Sequence, residues 1–569
     1  METTTFGAVQ TTATGGARLS SKVFGVDLDA LVTSLVDAKK IPITKKNVDI
    51  DSNTKKITAY QTLQTLSTTL NTAATNLRTP SVASGGDDLF AKKAAFAQSS
   101  TTASPTGITS IVPSKAAETG SFTLKVNRLA TKDVINSSGT FSSNTATPIT
   151  TDGNFSLNGT NIAVTTGMSL DAIKDAINAQ TATTKVTASV IKVNDTTYKL
   201  GLQSTVTGDA IDVSGSDAQV LADLSIAGSG ATDTSLSAEL VYNGVTVTRP
   251  NNKVTDLRDG VTFDLFTADP ATTLSVDIKD DSEAVKGGIV KFVEAYNAVV
   301  DFVKTQNTIN SDGTIPEDAV LFGSSALRTL YSQIQNAVSG TATGISTGIN
   351  NFREAGITFD ANNKLVIDDT KLDTALLEKG DEIKSLFSFQ AKSSNSDFNV
   401  LSRPNILSTI AGNDIVVNVL GTSGTGAATS ANIVYGGNTY TATIQNGIIR
   451  APTGSPLEGF AFGYSGSVVN EGVDAPQTTT IKPTQGLADK LGGFLETSLG
   501  TDGLLNRAVT DLQDKNTRIN KDIDLLNRQV DLYRERLAAQ FVTVQRNVSI
   551  LESIKSSLDA TFNNNNNNN

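Results

Sequence analysis

Ser311-Asp312-Gly313 and Asp360-Ala361-Asn362-Asn363 bring together the oxygen-bearing side chains and the glycine that calcium loops use. Neither has the ligand spacing or the distal glutamate of such a loop, so both read as turns. Asp280, Asp281 and Glu283 set carboxylates close enough in sequence for paired acid–base hydrolysis. The same residues suit the first turn of a helix, and a polar helix start is the simpler reading. The chain has no Cys, His or Trp. Thiol catalysis, disulfides and Cys/His metal sites are therefore excluded, and the commonest general acid–base is missing. An enzyme would have to work with carboxylates, Lys, Ser or Tyr, and no constellation of these stands out. We assign no catalytic residue, no cofactor and no metal site.

The informative spacing is apolar. Ile519, Ile523, Leu526, Val530, Tyr533, Leu537, Phe541, Val544, Val548, Leu551, Ile554 and Leu558 recur in steps of three and four. This is the seam of a long helix that needs a partner along its length. Two steps of four run together from Tyr533 to Phe541, a stutter that locally unwinds a left-handed supercoil. No Pro or Gly interrupts Leu504 to Phe562. Such a helix is roughly 80 Å long, more than one globular core can bury. A chain that ends this way is built to assemble.

The length of 569 residues suggests about four domains. The net charge of −11 and the lack of a basic tract speak against nucleic acid. The terminal helix is balanced, with 9 basic and 8 acidic residues from Arg507 to Asp559, so the acidity lies elsewhere. No apolar stretch reaches the ~18 residues needed to insert in a membrane. The opening residues lack a basic region followed by an apolar one, which predicts no cleaved secretory signal.

Helical patterns occupy both ends. Leu28, Leu31, Leu35 and Val36 belong to a short apolar helix, and Pro42 predicts a break after it. A second helix runs from about Thr44 to Arg78 with Leu63, Leu70 and Leu77 on its stripe, ended by Pro80 and Ser84-Gly85-Gly86. Between Phe90 and Asp280 short alternating runs such as Ser121 to Val126, Val186 to Val190 and Val261 to Leu265 read as strands. One amphipathic helix, Ser169 to Ala179, interrupts them. Helices return at Ser282, with a hairpin at Gly356 to Ile367 and a second β-rich block at 396–482.

The expected fold class is α+β multidomain. Long terminal helices form an α-helical coiled-coil or bundle stalk, and β-rich outer domains are inserted between them. Residues 1–43 hold a flexible N-terminus and a short helix that pairs with 545–562. Residues 44–80, 282–395 and 483–544 form the helical stalk domain. An inner β domain combines 81–135 with 232–281, an outer β/α domain spans 136–231, 396–482 is an inserted β-rich domain, and 563–569 is an Asn-rich tail. The assembly residues are Leu28, Leu31, Leu35, Val36, Leu63, Leu70, Leu77, Leu526, Val530, Tyr533, Leu537, Phe541, Val544, Val548, Leu551, Ile554 and Leu558.

The order of motifs resembles the flagellar filament cap family (hook-associated protein 2, FliD family). GVDLDALVTSLVDAKKIPI (Gly25 to Ile43) is similar to its N-terminal segment, and GSFTLKVNRLA (Gly120 to Ala130) to its first outer strand. MSLDAIKDAINAQTATTKVTASVI resembles its outer helix–strand unit. VYNGVTVTRPNNKVTDLRDGVTFDL (Val241 to Leu265) is similar to a further stretch of that family, with its Asn-Gly turn and Gly-Val-Thr step. The pattern continues through FVEAYNAVVDFV, GITFDANNKLVIDDTKLDTAL with IKSLF, and the helix containing YRERLAAQFVTVQ. Each motif alone is weak; seven in order are specific. The block at 396–482 and the run Asn563 to Asn569 depart from the family pattern.

The resemblance implies an extracellular structural protein of the bacterial flagellum, exported unfolded by the flagellar type III system. It implies a homo-oligomeric ring, pentamer or hexamer, at the filament tip, which helps exported flagellin fold and insert. Implied partners are flagellin, hook-associated proteins and an export chaperone on the C-terminal helix, with no nucleic acid and no membrane insertion. The alternatives are another axial protein, either flagellin or a hook–filament junction protein, and a secreted adhesin using the β domains for cell adhesion.

Overall fold

The structure is a computed structural model that describes residues 10–11, 17–18, 22–23, 26–78, 88–227, 233–404, 407, 409–421, 428–466 and 476–566. Most of the first twenty residues, Pro80, Ser84-Gly85-Gly86 and the last three Asn lie outside these. The chain divides into two units, 88–285 and the remainder.

The first helix, α1 (Leu28–Asn76), is continuous. The break expected at Pro42 does not occur. Proline removes one N–H and crowds the preceding turn, at a cost of ~3 kcal/mol. Pro42 and Ala38, whose carbonyl loses its partner, are both exposed, so water can serve that carbonyl. Val32, Val36 and Ile43, on either side of the proline, pack against Val530, Tyr533, Leu537 and Phe541. Tertiary packing overrides the local signal.

In the unit 88–285 the strands are β1 (Lys93–Ser99), β2 (Thr109–Pro113), β3 (Gly120–Arg128) and β4 (Val134–Asn136). They continue with β5 (Gly153–Leu157), β6 (Thr160–Val164), β7 (Val186–Asn194), β8 (Thr197–Ser204) and β9 (Ala238–Tyr242). The last four are β10 (Val245–Arg249), β11 (Lys253–Arg258), β12 (Val261–Leu265) and β13 (Asp269–Asp280). A five-stranded antiparallel sheet has the order β10-β9-β3-β13-β1, and a three-stranded one β11-β12-β2. Alternation explains their shared core: Phe122, Leu124 and Val126 of β3 meet Leu274, Val276 and Ile278 of β13, together with Val254 and Phe263. A separate core joins the β5–β6 hairpin and the sheet β7-β8-β4 to helix α2 (Leu170–Ala179). The Ser169 hydroxyl accepts the Ala172 N–H as N-cap, and Leu170, Ile173 and Ile177 are buried. The chain enters and leaves this unit on neighbouring strands, since Lys93 pairs with Asp280.

The other unit continues with α3 (Ser282–Gln306), which starts at the end of the β unit, and α4 (Ser325–Ser339). Then come the hairpin β14 (Ile357–Phe359) and β15 (Leu365–Ile367), α5 (Asp369–Glu378) and α6 (Gly380–Phe387). The α3 stripe is buried by this material: Phe292 meets Phe352 and Phe387, Tyr296 meets Phe359, and Asn297 bonds both backbone groups of Leu365.

A second β body follows. Its strands are β16 (Phe398–Ser402), β17 (Ile415–Gly421), β18 (Ala428–Tyr435), β19 (Asn438–Gln445), β20 (Ile448–Arg450), β21 (Ala461–Tyr464) and β22 (Gln477–Ile481). They form one antiparallel sheet of order β16-β21-β20-β19-β18-β17-β22 around a core of Ile415, Val417, Ile433, Phe460 and Phe462. Ser393 pairs with Ile481, so the segment leading into one edge strand covers the other edge strand. This covers the β22 edge, which would otherwise present unpaired backbone groups. Helices α7 (Leu487–Leu499) and α8 (Leu504–Asn566) complete the chain.

Candidate assembly surface

α8 is 63 residues long, ~95 Å at 1.5 Å per residue. It runs antiparallel to α1. Lys46 pairs with Asp522 at 2.8 Å, Asn53 with Asn516 at 2.7 Å and Gln64 with Asn506 at 2.7 Å, an even register. Lys39 lies over the Tyr533 ring at 5.9 Å. At this register the start of α1, Leu28, lies level with about residue 541, and about 25 residues of α8 run on beyond it. The helical start of the chain thus pairs with 530–541 rather than with the expected 545–562. The reason is the missing break: one continuous helix sets one register for its whole length.

The seam residues divide accordingly. Leu63, Leu70 and Leu77 are fully buried where α1 also meets α7, and Val36, Val530 and Leu537 are buried between α1 and α8. Leu526, Tyr533, Phe541 and Val548 are half-buried. Val544, Leu551, Ile554 and Leu558 are 44%, 61%, 51% and 49% exposed, and Leu31 and Leu35 are exposed as well. The side chain of Leu28 lies outside the described residues. A row of apolar side chains about half exposed at helical spacing on a helix overhang has the character of a docking surface.

A buried charge cluster anchors the other end of the pair and was missed from the sequence. Arg78, just after α1, donates from Nε to Asp489 at 2.9 Å and from Nη1 to Glu496 at 2.6 Å, both on α7. Arg403 of the second β body also pairs with Asp489, and Gln485 donates to its other oxygen. Gly492 leaves room for this, since a Cβ there would sit 2.6 Å from Arg78 Nη1. The signal was present: Arg78 continues the Leu70–Leu77 stripe, and Asp489 sits between Leu487 and Leu491. The carboxylates singled out for chemistry have structural work. Asp281 accepts the Ala284 N–H at the start of α3, Asp312 accepts the Thr314 N–H and hydroxyl, and Asp360 accepts the N–H groups of Asn362 and Lys364. These bonds hold the Asp312 and Asp360 carboxyls below the usual range, chiefly through Thr314 and Lys364. Among the described residues no helix is long and apolar enough to cross a membrane.

A long paired helix with an uncovered seam, carrying β bodies and using its carboxylates as caps and turn locks, defines a structural protein that works by assembly. Residues 235–553 match the family model of the flagellar hook-associated protein 2 C-terminus and 24–133 that of its N-terminus. The chain belongs to the flagellar hook-associated protein 2 family. Residues 149–206 also match the flagellin hook IN motif. The A-type flagellar hook-associated protein 2 of Pseudomonas aeruginosa is 27% identical over 393 residues, covering 64% of this chain and 78% of that protein. The flagellar hook-associated protein 2 of Escherichia coli K12 is 27% identical over 384 residues, with the same coverage. The crystal structure of the flagellar cap protein FliD D1-D2-D3 domains from Escherichia coli is 22% identical with a TM-score of 0.46, covering 80% of this chain and 99% of that one.

Proposed function

We propose that this chain caps the distal end of a bacterial flagellar filament and promotes the folding and insertion of arriving flagellin subunits. The observation that carries this reading, beside the family membership, is the apolar overhang of α8. A row of Val544, Leu551, Ile554 and Leu558 left exposed beyond the end of α1 needs a covering surface, and a filament end presents one. The models that match both ends of the chain are those of hook-associated protein 2, which speaks against flagellin or a junction protein. The protein acts by contact rather than catalysis. Its copies form a ring, pentamer or hexamer, and its partners are flagellin, the hook-associated proteins and an export chaperone on the C-terminal helix. It leaves the cell by the flagellar type III route. The chain is organised as a helical stalk, inner and outer β domains and an inserted β domain, with the buried seam residues holding the stalk and the exposed ones making contact.

The test replaces Leu551 and Ile554 by Ser in the full chain and expresses it in a strain lacking the native gene. The expected result is a soluble protein with unchanged circular dichroism, in a strain that releases flagellin monomer and builds no filament. Filaments of normal length with this variant would overturn the role of the overhang.

A further inference from the structure

The chain contains three Asn-Gly steps: Asn158-Gly159, Asn243-Gly244 and Asn446-Gly447. Each is the two-residue loop of a hairpin, closing Leu157 on Thr160, Tyr242 on Val245 and Gln445 on Ile448. Both residues of each loop have positive φ, 47° and 78°, 48° and 82°, 50° and 72°, which is why glycine fills the second place. The same glycine leaves its own backbone nitrogen unshielded by a side chain.

The three asparagines differ in how they are held. The Asn158 amide is fixed at both ends: its Oδ1 accepts the Asp212 N–H at 2.8 Å and its Nδ2 donates to the Thr184 carbonyl at 2.7 Å. Asn243 Oδ1 accepts the Thr123 N–H at 2.8 Å. Asn446 is exposed at the tip of the β19–β20 hairpin, and no hydrogen bond holds its side chain among the described residues.

We propose that Asn446 is a site of spontaneous, backbone-directed deamidation. The Gly447 nitrogen attacks Cγ of Asn446 and forms a C–N bond. The side-chain nitrogen leaves as ammonia, carrying the proton lost by Gly447. Water then opens the cyclic imide at either carbonyl, giving aspartate or its isoaspartyl isomer. Either product adds a negative charge to the hairpin tip. The isoaspartyl form also lengthens the main chain within a two-residue loop, which cannot keep Gln445 opposite Ile448. β20 has only three residues, so its pairing with β19 on one side and β21 on the other is the part that loosens.

The test is incubation of the intact, folded chain at mildly alkaline pH, followed by peptide mapping for the gain of about one mass unit. Each net hydrogen bond that must open first slows the reaction about fivefold. Asn446 should therefore convert about fivefold faster than Asn243 and about twenty-five-fold faster than Asn158. In denaturant the three rates should converge, because the hydrogen bonds are gone. Hydrogen exchange at Ile448 to Arg450 should rise in step with isoaspartyl formation. Equal rates in the folded chain, or Asn446 converting slowest, would overturn the proposal. An acidic shift that persists in full in Asn446→Ser would overturn it too.

Discussion

Arg78, Asp489 and Arg403 come from the end of α1, from α7 and from the second β body, and they meet at a single carboxylate of which only 2% is exposed. Removing that carboxylate leaves the Arg78 guanidinium buried with only the half-exposed Glu496. Asp489→Asn should cost about 3–5 kcal/mol in a denaturant titration, the usual penalty for an orphaned buried charge. Arg403 is one-third exposed, so Arg403→Ala should cost about 1 kcal/mol or less. A loss for Arg403→Ala as large as that for Asp489→Asn would mean that the β body, not α1, depends on the cluster. The Asp360 carboxylate makes a different prediction. Its folded pKa is depressed by the Lys364 and Asn362 N–H bonds, so its contribution is full at neutral pH and is lost as pH falls through the carboxylate range. Asp360→Asn keeps an acceptor in the turn but removes the titration. Thermal midpoints measured from neutral pH down to about pH 3 should fall less steeply in this variant.

Elements differ in how far they can be read from the chain. The strands at Gly120–Arg128 and Val261–Leu265 were legible because one face is buried and the other wet, which writes a period of two into the sequence. The hairpin at Ile357 to Ile367 was legible from its Asp-Ala-Asn-Asn turn. The long seam of α8 was legible, but its division into covered and uncovered halves was not. Seam residues look alike whether or not a partner reaches them. That division depends on where α1 stops, and Pro42 hid the true length of α1. A local breaker costs a few kcal/mol, while packing over many turns supplies more, and only the folded chain shows which prevails. At the same scale, the second β body enters and leaves at adjacent points, with Gln390 opposite Thr484 and Ser393 opposite Ile481. Replacing 396–482 by a short linker should therefore preserve the helices, because Arg78 still meets Asp489. Far-ultraviolet circular dichroism with a single retained helical transition is the expected result. A molten helical signal would show that the β body supports the helices.

Across the whole molecule the same device appears twice: a β body whose entry and exit strands are neighbours, interrupting a helical chain. Residues 88–285 expressed alone should fold, since their cores are drawn from within that span. Unchanged β circular dichroism and a cooperative melt are the expected outcome. The antiparallel pairing of α1 with α8 has a kinetic consequence. Lys46 and Asp522 are 476 residues apart, so their contact closes nearly the whole chain and carries a large entropic cost if made first. The two β bodies, built on shorter loops, fold ahead of it, and each one that closes draws its flanking helices together. Pairing of the terminal helices is then the slow, last phase of refolding. Followed by a fluorophore attached at position 533 in place of Tyr533, it should lag behind the β signal and have no counterpart in the refolding of the excised 88–285. On the role proposed for the α8 overhang, a chain that has only partly arrived lacks that contact surface, which is completed only when its final helix is present.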